Sequence, residues 1–289
     1  MATNTSDNII GKDLFERFDR GLDFLRQLGK RFRQDRIFRV ASALSFTTVL
    51  ALVPLITVIF SMLSLFPVFE TWSGSLEKFV FRNFVPAAGD AVERYLLEFS
   101  SKAGKLTALG LVLLLLSSLF LLSTIEDAFN DIWRVTRGRP WIQRLMVYWS
   151  VISLGPLLIV ISLSMSSALL SMTVFSDTAI LAGITRFLLR YLPVLLELVA
   201  FMLFYLAIPN REIEVRHAFI AGLLATVLFE LAKLGFGYYI LNFNSYQLIY
   251  GALSTVPIFL VWVYLSWLVL LVGAEVCATL TDRTAAVEY

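Results

Sequence analysis

From Leu234 to Ala274 the chain runs 41 residues without one charged side chain. Crossing the hydrocarbon core of a bilayer takes about 20 consecutive apolar residues. The run is therefore twice the length of one crossing, and the polar, turn-prone Asn242-Phe243-Asn244-Ser245 divides it into two. The same criterion finds the remaining spans. Val40–Leu65 is uncharged over 26 residues, Leu106–Ile125 over 20, and Leu145–Ser176 over 32. Phe187–Ile208 is apolar apart from Arg190 and Glu197, and His217–Leu241 apart from Glu230 and Lys233. The expectation is an all-α polytopic membrane protein with six transmembrane helices, near 40–65, 106–125, 145–172, 187–208, 217–241 and 252–274. A cytoplasmic segment 1–39 precedes this 40–276 bundle and a tail, 277–289, follows it. Only 16% of the residues are charged, against roughly 25% in soluble domains.

Orientation follows from the basic residues, which are held on the cytoplasmic side. Nine precede the first span: Lys12, Arg17, Arg20, Arg26, Lys30, Arg31, Arg33, Arg36 and Arg39. Arg134, Arg137, Arg139 and Arg144 separate spans two and three, Arg211 and Arg216 separate four and five, and Arg283 follows the last. The opposite loops are poorer, and the five basic residues of the 66–105 loop are matched by five acidic ones. Both termini are thus expected in the cytoplasm. Residues 1–36 carry charge throughout and no apolar signal core, so the first span is expected to act as an uncleaved signal.

Two flanking segments have helical period. Leu14, Phe18, Leu22, Leu25, Leu28 and Phe32 recur at three and four, opposite Arg and Asp. Such a basic amphipathic helix suits an anionic inner leaflet, with Arg26, Lys30, Arg31, Arg33 and Arg36 as the membrane-surface contacts. Val92, Tyr95, Leu96 and Phe99 give the loop after span one a similar stripe. Either helix could equally cover an end of the bundle.

Several chemistries are excluded by what the chain lacks. One histidine, His217, and one cysteine, Cys277, leave no His- or Cys-based metal cluster and no disulfide. No nucleophile elbow surrounds His217, and no phosphate-cradling glycine loop is present. A net charge of +2 gives nucleic acid no basic surface. No metal, no cofactor and no catalytic residue are expected. Glu126, Asp127 and Asp131 in IEDAFNDIWR could in principle hold magnesium, but a charged helix end with internal pairing is the simpler reading.

The charges inside the spans are the sharper signal, because an ionised group at mid-bilayer costs roughly 2.5–3.5 kcal/mol and rarely faces lipid. Glu230 and Lys233 lie one turn apart, and Glu197 is near the middle of the preceding span. They form either a structural lock or a polar path, to which Glu275 and the uncharged-loop residues Tyr246 and Gln247 could contribute. Pro54, Pro156, Pro193 and Pro257 lie within or near the starts of four spans, where freed carbonyls need other partners.

The stretches ASALSFTTVLALVPLITVIFS, FVPAAGDAVERYLLEF, IEDAFNDIWR, IPNREIEVRHAFIAGLLATVLFELAK and SYQLIYGALSTVPIFLVWVYLSWLVLLVGAEV resemble, in this order, the YihY/BrkB family of bacterial inner-membrane proteins. The resemblance covers residues 30 to 280 or so. It implies a six-helix cytoplasmic-membrane protein linked in some members to virulence or serum resistance, and it transfers no catalytic residues. An old ribonuclease label attached to the family fits poorly here, since the chain lacks metal ligands and a basic groove. Family-level proposals of envelope-lipid movement make membrane lipids the expected partners and an envelope lipid the expected substrate. The rivals are a non-transporting assembly scaffold and a membrane-bound enzyme.

Overall fold

The computed structural model describes residues 21–63, 108–150, 179–242 and 255–287, and all regular structure among them is helical. Helix α1 covers 21–34, α2 Ile37–Leu63, α3 Ala108–Ile132, α4 141–150, α5 Ala179–Ala207, α6 Val215–Asn242 and α7 Thr255–Val287. Neighbours pack in the order α5, α6, α7, α2, α3, which puts α7 at the centre. The expected third span beyond residue 150, the 66–105 loop and the loop carrying Tyr246 and Gln247 lie outside the described residues. So does the amphipathic stretch before residue 21.

Three helices outrun their expected segments: α5 begins at Ala179, ahead of Arg186, and α3 and α7 run on at their ends. Helix α3 continues through the polar IEDAFNDI, because Glu126 and Asn130 turn inward and are buried. Helix α7 does not stop at 274; it continues through most of the expected tail, and Cys277, Ala278 and Thr279 are fully buried. Nothing in that stretch breaks a helix, and Thr279 and Thr281 return their hydroxyls to carbonyls four residues back. Pro54 and Pro193 lie inside helices. Pro257 falls in the first turn of α7, where its missing N–H is no loss.

Small residues set the central packing. Ala218, Ala221 and Ala225 of α6 are fully buried, and Gly222 lies against Leu198 and Met202 of α5. On α7, a Cβ at Gly273 would overlap the Tyr205 hydroxyl, which donates to Leu270 O at 3.0 Å. Backbones approach this closely only where side chains are absent or minimal. Aromatic contacts then run through the bundle, from Trp133 to Phe129 and Phe204, and from Tyr205 through Phe201 and Phe229 to Trp262. The outward faces stay apolar: Phe38, Phe46 and Leu50 of α2 and Leu223, Val227, Leu231 and Leu234 of α6 are exposed. Among the described residues, Val215–Ile240 and Val256–Ala285 are long and apolar enough to cross a membrane.

Arginine occupies two backbone positions that usually favour glycine. Arg36 (φ 49°) joins α1 to α2, and Arg134 (φ 55°) ends α3. At Arg134 the chain closes a Schellman motif, with Val135 N–H donating to Asn130 O and Arg134 N–H to Asp131 O. Left-handed backbone costs a non-glycine residue roughly 1–2 kcal/mol, and at Arg134 the side chain gives something back by pairing with Asp35.

Candidate functional site

Two clusters of charge stand out, at different depths. The first joins α5 to α6. Lys233 Nζ lies 2.6 Å from Glu197 Oε1 and 2.9 Å from Glu230 Oε1, and over the Phe229 ring at 5.4 Å. Glu197 is about 15 Å of helix rise from the end of α5 and Glu230 about 22 Å from the start of α6, so both are well inside their helices. The sequence pairs Glu230 with Lys233 by spacing alone, but the shorter contact crosses to Glu197. Two carboxyl groups thus share one ammonium. The Glu197 side chain is 1% exposed and its Oε2 has no donor among the described residues, whereas Glu230 is 35% exposed. Phe229, under Lys233, packs in turn on Phe201 and Trp262.

The second cluster sits at one end of the bundle, where four segments meet: α1, the end of α3, the α5–α6 connection and the end of α7. Arg31 is the hinge of it. Its Nε donates to Glu275 Oε2 at 3.0 Å, Nη1 to Asp282 Oδ2 at 2.6 Å and Nη2 to Ile132 O at 2.6 Å. Arg211 reaches the other oxygen of Asp282 at 2.7 Å and Trp133 O at 3.3 Å. Burial alone would lower the pKa of Arg31, but the bonds and charges of Asp282 and Glu275 outweigh it and hold the guanidinium above its ordinary value. Arg31 is therefore turned inward and is not free for a lipid surface. Its neighbours Arg26, Lys30, Arg33 and Arg36 are exposed. Glu275 is placed in this cluster too, bonded to Arg31 rather than to Lys233.

Beside it, Arg139 donates to the carbonyls of Ala207, Ile208 and Pro209 and so closes the end of α5. Carbonyls at a helix C-terminus lack partners within the helix and carry partial negative charge, which a guanidinium answers. Asn130 Oδ1 accepts from Asn210 N–H at 2.8 Å. Glu126 accepts from the Tyr148 hydroxyl at 2.6 Å, with Arg139 and Arg144 at 3.7 and 3.6 Å. The IEDAFNDIWR motif is therefore divided: Glu126 and Asn130 pair with groups distant in sequence, while Asp127 and Asp131 stay exposed. Among the described residues no three His, Cys, Asp or Glu side chains are placed to hold a metal ion. A cleft of about 470 Å³ opens at this end, lined by Gln34, Asp35, Asp131, Arg134 and Thr136 over Val40 and Ile132.

A family profile described as Virulence factor BrkB matches residues 28–288. The chain belongs to this family. Relatives of the chain are named UPF0761 membrane proteins. One from Aeromonas salmonicida is 46% identical over 92% of this chain and 94% of its own length, and one from Vibrio vulnificus is 43% identical over 96% and 89%. One from Pseudomonas paraeruginosa is 45% identical over 92% of this chain, which spans only 65% of that relative. No solved structure matches. The profile covers both charge clusters. What sequence reasoning missed was the bonding role of the loop arginines Arg139 and Arg211; their position between spans marked a side of the membrane and gave no sign of which carbonyls they would meet.

Proposed function

We propose that the protein is a six-span transporter or translocation factor of the bacterial inner membrane, moving an amphipathic envelope molecule such as a lipid, with both termini in the cytoplasm. The observation that carries this reading is the Glu197–Lys233–Glu230 group. A structural lock needs balanced charge, and here two carboxyl groups face one ammonium well inside the helices. Glu230 remains a third exposed, so one edge of the group is open to a polar headgroup travelling along α6. The topology is supported by the convergence of α1, the 133–140 connection, the 208–214 connection and the end of α7 at one end of the bundle, since these are the segments that the distribution of Lys and Arg assigns to one side. Tyr246 and Gln247 belong to the same proposed path, and Arg26, Lys30, Arg33 and Arg36 to its attraction for anionic headgroups.

The test is lipid movement in vesicles of phosphatidylethanolamine and phosphatidylglycerol containing the full chain, read by quenching of a fluorescent phosphatidylethanolamine from outside. Wild type should exchange the probe between leaflets faster than protein-free vesicles, and Glu197→Gln and Lys233→Met should slow it at least tenfold. No exchange by wild type would refute the transport reading. Full exchange by the Glu230→Leu/Lys233→Leu double variant, at normal protein level, would refute the site.

A further inference from the structure

Two residues that line the cleft of about 470 Å³ work against their own helix. Asp131 puts an acidic side chain in the last turn of α3, where unpartnered carbonyls already carry partial negative charge. Arg134 takes the left-handed position that ends the helix, at φ 55°, where glycine would sit without strain. Local rules broken side by side are expected where side chains serve a purpose other than folding.

Both side chains keep bonding capacity unused. The Asp131 carboxylate is exposed and has no partner among the described residues. Arg134 gives Nη1 to Asp35 and to Asp131 O, while the side edge of its guanidinium, Nε and Nη2, has no acceptor among the described residues. Asp35 is only 7% exposed and holds the guanidinium in place; Arg134 itself is half exposed. Gln34 and Thr136, both exposed, add an amide and a hydroxyl that are unpartnered among the described residues. The rest of the lining is aliphatic, from Val40, Ala128, Ile132 and Val135.

This lining selects its ligand by charge. The volume falls within the range of small-molecule sites. A simple anion would meet Arg134 but also the free carboxylate of Asp131, and a simple cation would satisfy Asp131 but leave the guanidinium edge idle. A molecule that carries both a phosphodiester and an ammonium answers each. Two phosphate oxygens match the Nε–Nη2 edge as a pair, and the ammonium donates to Asp131. A primary ammonium suits the site better than a quaternary one, which has no N–H to give and is held by aromatic faces. No aromatic side chain is among the described residues that line the cleft. The aliphatic part of the lining calls for a ligand with an apolar portion. The cleft also lies at the end of the bundle that gathers the basic segments, within reach of a membrane surface.

We propose that this cleft binds the phosphoethanolamine headgroup of a membrane lipid, with Arg134 on the phosphate, Asp131 on the ammonium, and Gln34 and Thr136 on the remaining oxygens. The site is separate from the Glu197–Lys233–Glu230 group, and its test reads binding alone, so it stands or falls apart from the transport reading.

The experiment is native mass spectrometry of the purified full chain in detergent, titrated with dioleoyl phosphatidylethanolamine, phosphatidylglycerol or phosphatidylcholine. Wild type should retain the ethanolamine lipid roughly tenfold more tightly than the other two, which is the worth of one charge-assisted hydrogen bond. Asp131→Asn should erase the margin over phosphatidylglycerol; its side chain is exposed and bonds to no described residue, so the fold does not rest on it. Arg134→Gly, which relieves the left-handed backbone, should weaken retention of all three lipids. Equal retention of the three by wild type overturns the proposal and needs no variant to fold. So does an undiminished preference for phosphatidylethanolamine in Asp131→Asn, or undiminished retention in Arg134→Gly. Soluble glycerophosphoethanolamine bound as tightly as the lipid would overturn the membrane as the source, because the aliphatic lining would then contribute nothing.

Discussion

The Glu197–Lys233–Glu230 group and the Arg31–Glu275–Asp282–Arg211 group are both built from buried charge, yet they obey different rules. In the end cluster, two guanidiniums meet two carboxylates, and their remaining donors close helix ends at Ile132 and Trp133. Each arginine there does two jobs, binding a carboxylate and satisfying a carbonyl that its helix cannot. In the inner group one flexible ammonium serves two carboxyl groups, and one oxygen of Glu197 has no donor among the described residues. Arginine's planar fork suits a fixed junction, whereas lysine is a point charge on a mobile stem. The contrast teaches that burial of charge alone does not tell the two clusters apart; stoichiometry and donor type do.

That contrast can be broken by removing the cation from each cluster. Arg31→Ala should have the largest effect, destabilising by about 3–5 kcal/mol because Glu275 is left uncompensated in a closed site. Thermal unfolding in detergent measures it, and Arg31→Lys should recover only part, since an ammonium cannot hold two carboxylates and a carbonyl in one plane. A loss below about 1 kcal/mol would mean that the end cluster is no lock. Lys233→Met should cost less stability than Arg31→Ala, toward the lower end of the same range, while abolishing lipid exchange. Equal loss of stability and activity in both variants would erase the distinction between the clusters.

Gly273→Ala sharpens the comparison from outside both groups. The added methyl meets the Tyr205 hydroxyl, and overpacking of this kind costs about 1–3 kcal/mol. It should lower the unfolding temperature without changing the salt dependence of stability, which separates packing from charge. The smallest effect is expected at the surface. Among the described residues Arg26 pairs only with Asp23, at 3.5 Å and largely exposed, so Arg26→Ala should change stability by less than about 0.5 kcal/mol. Replacing Lys30, Arg33 and Arg36 together by Gln should leave folding intact but weaken adhesion of the solubilised chain to phosphatidylglycerol-rich vesicles, and high salt should mask the difference.

Much of the helical layout was legible before the structure. The apolar runs overlap α2, α3, α5, α6 and α7, because long stretches of predominantly apolar residues favour helix whatever their exact composition. Helix α5 starts at Ala179, well before the expected 187, and the other departures are at the ends of α3 and α7. There the sequence turns polar, and polarity looks like exit from the helix when the partners of those polar groups lie far away in the chain. Glu126 finds Tyr148, Asn130 finds Asn210, and Glu275 finds Arg31.

The sequence by itself determined that this is a membrane chain of the BrkB family and marked Glu197, Glu230 and Lys233 as charges in need of a reason. It also grouped the basic segments that the fold gathers at one end. Only the tertiary structure decided how those charges are shared: that Lys233 bridges two helices, that Arg31 is buried and not a lipid contact, and that Glu275 is bonded to Arg31. Hydropathy and charge bias are summed along the chain, so one sequence displays them in full. Pairing between buried ions is a matter of a few tenths of a nanometre between residues up to 251 positions apart, and no local pattern carries that distance.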